Sequence, residues 1–78
     1  MLYRVRYGML RRELARIRSG AGLTQAELAA RMGKVQSFVS KVETGERYLD
    51  VMDFLDWCEA ANADAVKILA IIREAPKE

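Results

Sequence analysis

The chain contains no histidine, one cysteine (Cys58) and one proline (Pro76). Each scarcity removes a class of protein. A single thiol cannot form an internal disulfide, so no disulfide framework is expected. One thiol without imidazole partners cannot close a structural zinc site, so no metal is expected either. General acid–base and triad chemistry relies heavily on histidine, so the chain is not read as an enzyme. No run of about 18 apolar residues occurs, which argues against a membrane-spanning helix. Arg4 and Arg6 are followed by no apolar stretch, so no secretory signal is expected. The lone cysteine fits a reducing cytoplasm.

What is present is 78 residues, 51% of them hydrophobic. That is enough for one small domain whose core comes from aliphatic packing, with a partner chain as a further source of burial. A single domain over residues 1–78 is expected, with residues 1–6 as a flexible N-terminal arm and 75–78 as a tail. The net charge of +2 hides an asymmetry. Residues 1–20 carry six arginines against Glu13 alone (+5). Residues 21–47 carry four cations against three acids (+1), and residues 48–78 three cations against seven acids (−4). A basic half suits a polyanionic partner. Charge alone does not separate that from ordinary solvated helix faces.

Between its glycines the chain keeps a helical period. Tyr7, Leu10, Leu14 and Ile17 share a face of a first helix, from about Tyr7 to Ser19, stopped by Gly20 and Gly22. Residues 1–6 either extend that helix or form a short strand or arm. Thr24 and Glu27 make a capping-box pattern that opens a second helix, with Leu28, Ala29 and Met32 inward and Gly33 at its end. Lys34 and Val35 turn the chain into a third helix, from about Gln36 to Thr44, ended by Gly45. Asp50 caps a fourth helix whose apolar stripe is Val51, Phe54, Leu55, Cys58 and Ala61. A fifth follows from about Ala65 to Glu74. Cys58 is expected to be an inert buried thiol. Trp57 lies off the stripe, either in the core or at an interface. The fold class is therefore all-α, a bundle of five short helices.

The second and third helices, joined by a glycine-containing turn, make a helix-turn-helix over about residues 24–45. Any helical hairpin would do so, and the side chains must decide its use. On a helical wheel at about 100° per residue, Gln36, Ser37, Ser40, Lys41 and Thr44 share one face of the third helix. Phe38, Val39, Val42 and Glu43 take the other. The polar face has no acid, whereas a generic solvated face would mix both signs. Gln pairs two-pronged with adenine, Ser bonds several base edges, and Lys favours guanine or phosphate. Glu43, on the inward side, needs a cation. Arg18 near the end of the first helix is the candidate, and a solvated arginine is the alternative.

The run Leu23-Thr24-Gln25-Ala26-Glu27-Leu28-Ala29, then Gly33, then Val39-Ser40-Lys41-Val42-Glu43-Thr44-Gly45, resembles the Cro and phage-repressor (XRE-type) helix-turn-helix family. The resemblance covers roughly Leu10 to Ala61. It implies a five-helix, lambda-repressor-like DNA-binding domain without a cofactor. It also implies a transcriptional regulator, a repressor in this reading, acting in a prokaryotic or phage-encoded context on the nucleoid. Gln36, Ser37 and Lys41 match base-reading positions. Gln25 matches a residue that touches a phosphate and steadies Gln36. Thr24, Lys34 and Arg47 are the further phosphate candidates. Arg18 and Glu43 match a structural ion pair.

There are departures. Glu46-Arg47-Tyr48-Leu49 stands where many members carry a proline, and Phe38 replaces a smaller residue. Glu46 would face a phosphate unfavourably. The fifth helix is apolar on more than one face, which fits a homodimer through helices four and five or simply a core helix. The partners expected are double-stranded DNA and a second copy, with no membrane and no small-molecule ligand. A competing function is an antitoxin or protein-interaction module on the same fold. Asp53, Asp56 and Glu59 read as a solvated acidic face. Gly20-Ala21-Gly22 fails as a phosphate loop because Gln25 stands where the third glycine belongs.

Overall fold

A computed structural model describes residues 5–76. It has five helices and, among those residues, no strand: α1 (Val5–Gly20), α2 (Gln25–Met32), α3 (Gln36–Thr44), α4 (Val51–Ala60) and α5 (Ala65–Arg73). The all-α expectation holds: α2 and α4 begin just after the caps expected at Thr24 and Asp50, and α3 and α5 begin at Gln36 and Ala65 as expected. Thr24 Oγ1 accepts from the Glu27 N–H at 3.0 Å while the Glu27 carboxylate accepts from the Thr24 N–H at 2.9 Å. Asp50 accepts from the Asp53 N–H at 2.8 Å, and Asp64 from the Val66 N–H at 2.9 Å. These bonds satisfy donors that a helix start leaves without intrahelical partners.

The first helix runs past its expected bounds at both ends. It starts two residues earlier, at Val5, so Val5 and Arg6 take the helical one of the alternatives left open for them; residues 1–4 lie outside the described residues. Gly20 is still helical, and the chain leaves α1 through Gly22 with φ +74°. Of the expected tail, Ala75 is buried, Pro76 is exposed, and residues 77–78 lie outside the description.

The core runs through all five helices: Leu14 and Ile17 of α1, Leu28 and Ala29 of α2, Phe38, Val39 and Val42 of α3, Phe54, Trp57 and Cys58 of α4, and Ile68 of α5. Trp57 resolves to the core side. It is fully buried, and its indole N–H donates to the Leu14 carbonyl at 3.1 Å. A buried indole needs such a partner, and this one ties α4 to α1. Its position also turns the helix relative to the expected stripe. Phe54, Trp57, Cys58 and Ala61, at helical spacing, face inward, whereas Val51 (72% exposed) and Leu55 point to solvent. On α5 only Ile68 is buried, leaving Val66, Leu69 and Ile71 exposed. Among the described residues no helix is long and apolar enough to cross a membrane.

Candidate nucleic-acid interface

The third helix is held by its apolar side. Val39 and Val42 are fully buried and Phe38 nearly so, which turns the opposite side outward. Gln36, Ser37, Lys41 and Thr44 are exposed and Ser40 is half-buried, so the five residues of the expected polar face do share the outer side. The helix begins at Val35, which offers no side-chain cap, and no acid stands in its first turn. The positive end of its dipole is therefore left uncovered beside Gln36 and Ser37. Val35 itself is 69% exposed. Beyond filling the turn, it adds an apolar group next to the two polar ones.

Glu43 is the hub that fixes this helix against its neighbours. Arg18 grips it with two prongs, Nε to Oε2 at 2.7 Å and Nη2 to Oε1 at 3.1 Å. Arg18 Nη1 also donates to the Leu23 carbonyl at 2.8 Å. The side chains of the pair are only 16% and 9% exposed. The Glu43 hydrogen bond raises the Arg18 pKa above its already high ordinary value, so the guanidinium stays charged. Gln25 joins the same carboxylate, its Nε2 donating to Oε1 at 3.0 Å. A carboxylate only accepts, so the amide must present its nitrogen. The hub thus links α1, the start of α2 and the end of α3.

That geometry changes what was expected of Gln25. One of its two amide N–H groups is taken by Glu43, and among the described residues no hydrogen bond joins it to Gln36. Its second amide N–H, its carbonyl oxygen and its backbone N–H remain for other partners. Thr24 is similarly engaged by its capping box. The open donors at the start of α2 are the Gln25 and Ala26 N–H groups, which the helix geometry leaves without intrahelical partners.

Lys34 and Arg47 converge on one ring. The Lys34 ammonium lies 5.1 Å from the centroid of Phe38, and the Arg47 guanidinium 4.8 Å. Both distances suit cation–π attraction, so the bulky Phe38 holds two cations beside α3. Lys34 also approaches Asp53 at 3.6 Å, which offsets part of its charge. The acid-free face has a limit. Glu46 follows the helix and accepts a hydrogen bond from Thr44 Oγ1 at 2.7 Å, which brings a carboxylate to the C-terminal end of that face. The acid-free part of that face is thereby its N-terminal part, which carries Gln36, Ser37 and Lys41.

Two further residues support the helix without any sign in the sequence. Arg11 donates to the Glu43 carbonyl at 3.2 Å, placing a cation at the negative end of α3. Its guanidinium also lies where a side chain on Gly45 would go: a Cβ there would be 3.0 Å from Arg11 Cζ. Gly45 has φ +85°, so both conformation and space require glycine. The other is Tyr7, whose phenol oxygen reaches Arg47 and Leu49 beyond the recognition helix. Spacing had put Tyr7 on the apolar face, and nothing in its periodicity says which loop it meets. On another side of the molecule, an apolar cleft of about 190 Å³ lies between α1, α4 and α5, lined by Leu10, Leu49, Val51, Phe54, Leu55 and Leu69 with Asp50 at its edge.

Comparison with known proteins places this arrangement. A helix-turn-helix domain family model matches residues 9–70. The HTH-type transcriptional regulator y4dJ of Sinorhizobium fredii, itself uncharacterized, is 34% identical over 62 residues, covering 80% of each chain. An XRE-family like protein from Pseudomonas syringae pv. tomato is 48% identical with a TM-score of 0.83, covering 87% of this chain and 83% of that one. The restriction-modification controller protein C.AhdI from Aeromonas hydrophila is 31% identical with a TM-score of 0.65, covering 82% of this chain and 92% of that one. The matched stretch runs from Met9 in α1 to Ala70 in α5 and contains every residue of the arrangement just described except Tyr7; the chain belongs to the XRE-type helix-turn-helix family.

Proposed function

We propose that this helix-turn-helix protein is a sequence-specific DNA-binding transcriptional repressor, acting in the cytoplasm as a homodimer on a pseudo-palindromic operator. The observation that carries the proposal is the outer face of α3: exposed Gln36, Ser37 and Lys41 over an uncapped helix start, with the opposite side packed into the core. In this reading α3 enters the major groove. Gln36 pairs with adenine, Ser37 with a neighbouring base edge, and Lys41 with guanine. Gln25, Thr24, Lys34 and Arg47 contact phosphates, Gln25 chiefly through its backbone N–H at the start of α2. The relatives, among them a transcriptional regulator and a restriction-modification controller, support regulation as the outcome.

The dimer part rests on exposed apolar surface. Val51, Leu55 and Leu69 line the apolar cleft and stay exposed, and Met52 of α4 and Val66 and Ile71 of α5 are exposed as well. A second copy is the occupant proposed, because two identical recognition helices about one turn (~34 Å) apart would read two half-sites of a palindrome.

Selection from a random duplex library supplies the operator, and anisotropy titration then measures it. Gln36→Ala should cost about 1–3 kcal/mol at one base position and relax specificity there. Unaltered preference in that variant removes Gln36 from the readers. Sedimentation should show a dimer in the presence of operator; a monomer with and without DNA refutes the dimer. Absence of any salt-sensitive DNA affinity would transfer the apolar surface to the competing function, a protein-binding antitoxin.

A further inference from the structure

We propose that Tyr7, at the start of α1 and outside the reading face, is a positioning residue for DNA binding: it sets the α3–α4 loop so that Arg47 stands ready to meet a phosphate. The inference rests on the phosphate role proposed for Arg47.

The loop over residues 45–50 has no proline to stiffen it. Its first part is tied back to the recognition helix, because the N–H groups of Glu46 and Arg47 both donate to the Lys41 carbonyl, at 2.9 and 3.2 Å. Tyr7 secures the next part. Its phenol oxygen accepts the Leu49 N–H at 3.0 Å and donates to the Arg47 carbonyl at 3.3 Å. Its ring meets Tyr48 edge-to-face, with centroids 4.8 Å apart and planes at 77°. One side chain from α1 thus contacts three consecutive residues of the loop. Arg47 is held at two points, its backbone by Tyr7 and its guanidinium over Phe38.

The double role of the hydroxyl requires the protonated phenol. Burial raises the Tyr7 pKa above the ordinary 10.0, so it keeps that proton under physiological conditions. An arginine on an untethered loop spreads over many positions and must be ordered again at each encounter with DNA. Phenylalanine at position 7 keeps the ring against Tyr48 and deletes both hydrogen bonds, which isolates the tether from the packing.

The test measures affinity for a fluorescent random-sequence duplex between 50 and 200 mM salt for the wild type, Tyr7→Phe, Arg47→Ala and the double variant. Loss of one phosphate contact lowers the salt slope by about 0.9 per protomer, roughly a 3.5-fold smaller loss of affinity across that range. Arg47→Ala should show that change, Tyr7→Phe should move towards it, and the double variant should match Arg47→Ala. A wild-type slope in Tyr7→Phe beside a lowered slope in Arg47→Ala overturns the proposal and leaves the Arg47 reading intact. A wild-type slope in Arg47→Ala overturns both. A double variant lower than Arg47→Ala shows Tyr7 acting elsewhere and also overturns it. Hydrogen exchange needs no variant: the Leu49 amide should be protected in the native protein, and exchange at the free-peptide rate refutes the tether.

Discussion

Replacing Glu43 by alanine removes the acceptor on which three donors converge, Nε and Nη2 of Arg18 and Nε2 of Gln25. The magnitude follows from burial. Breaking a fully buried ion pair by deleting one partner costs about 3–5 kcal/mol, because the other charge is left uncompensated. Here the side chains are 16% and 9% exposed, so water reaches the survivor in part. We therefore expect Glu43→Ala to lose about 2–4 kcal/mol. A chain of this size has roughly 4–12 kcal/mol in total, so the loss is a large fraction of it. It should lower Tm by roughly 10–30 °C. The double variant Arg18→Met/Glu43→Leu removes both charges and fills the space with apolar atoms, and should lie within about 1 kcal/mol of the wild type. Urea denaturation followed by far-ultraviolet circular dichroism measures all three proteins. An unchanged midpoint and slope in Glu43→Ala would refute the hub. A double variant as unstable as the single one would show that the stranded charge is not the cause.

Three further outcomes are expected. Gly45→Ala should destabilise by more than about 1–2 kcal/mol, since its left-handed φ alone costs that much and its Cβ would press on Arg11. The cycle with Arg11→Ala should be less than additive, and strict additivity would show that the two do not meet. The capping box makes stability depend on acid: the Thr24 N–H holds the Glu27 carboxyl below its ordinary 4.5 in the folded state. That stabilisation is complete above the unfolded pKa and disappears as pH falls through the lower folded one. Thermal melts of wild type against Glu27→Gln from neutral to acid pH should show the gap closing; a constant gap refutes it. Glu46→Gln removes the carboxylate at the end of the recognition face and should tighten non-specific DNA binding by roughly 2- to 5-fold, the scale of one exposed charge interaction. Weaker binding would mean that its bond to Thr44 matters more than its charge.

The helices were legible because their signals are local. Thr24 with Glu27, Asp50, Asp64, Gly33 and Gly45 act within one turn of themselves, and the caps formed where those residues stand. The two faces of α3 were legible for the same reason, since period and composition decide which side is apolar. The candidate pair Arg18–Glu43 needed the motif as well as the wheel, because 25 residues separate its members.

Most other contacts between elements were not legible. The stripe of α4 was misassigned because Trp57 gains enough from the core, and from the Leu14 carbonyl, to turn the helix and leave Val51 and Leu55 outside. The motif gives no sign that Gln25 bonds Glu43, which the crossing of the helices brings within reach. Phe38 was read as simple packing, and only the turn before it and the loop after it place Lys34 and Arg47 over its ring. The sequence by itself determined five helices, the starts of the last four, and a polar outer face on the third, all products of hydrogen bonding and periodicity within a few residues. Only the tertiary structure decided what steadies that face. Arg11, Tyr7 and Gln25 come from other helices, and their partners depend on how the helices cross.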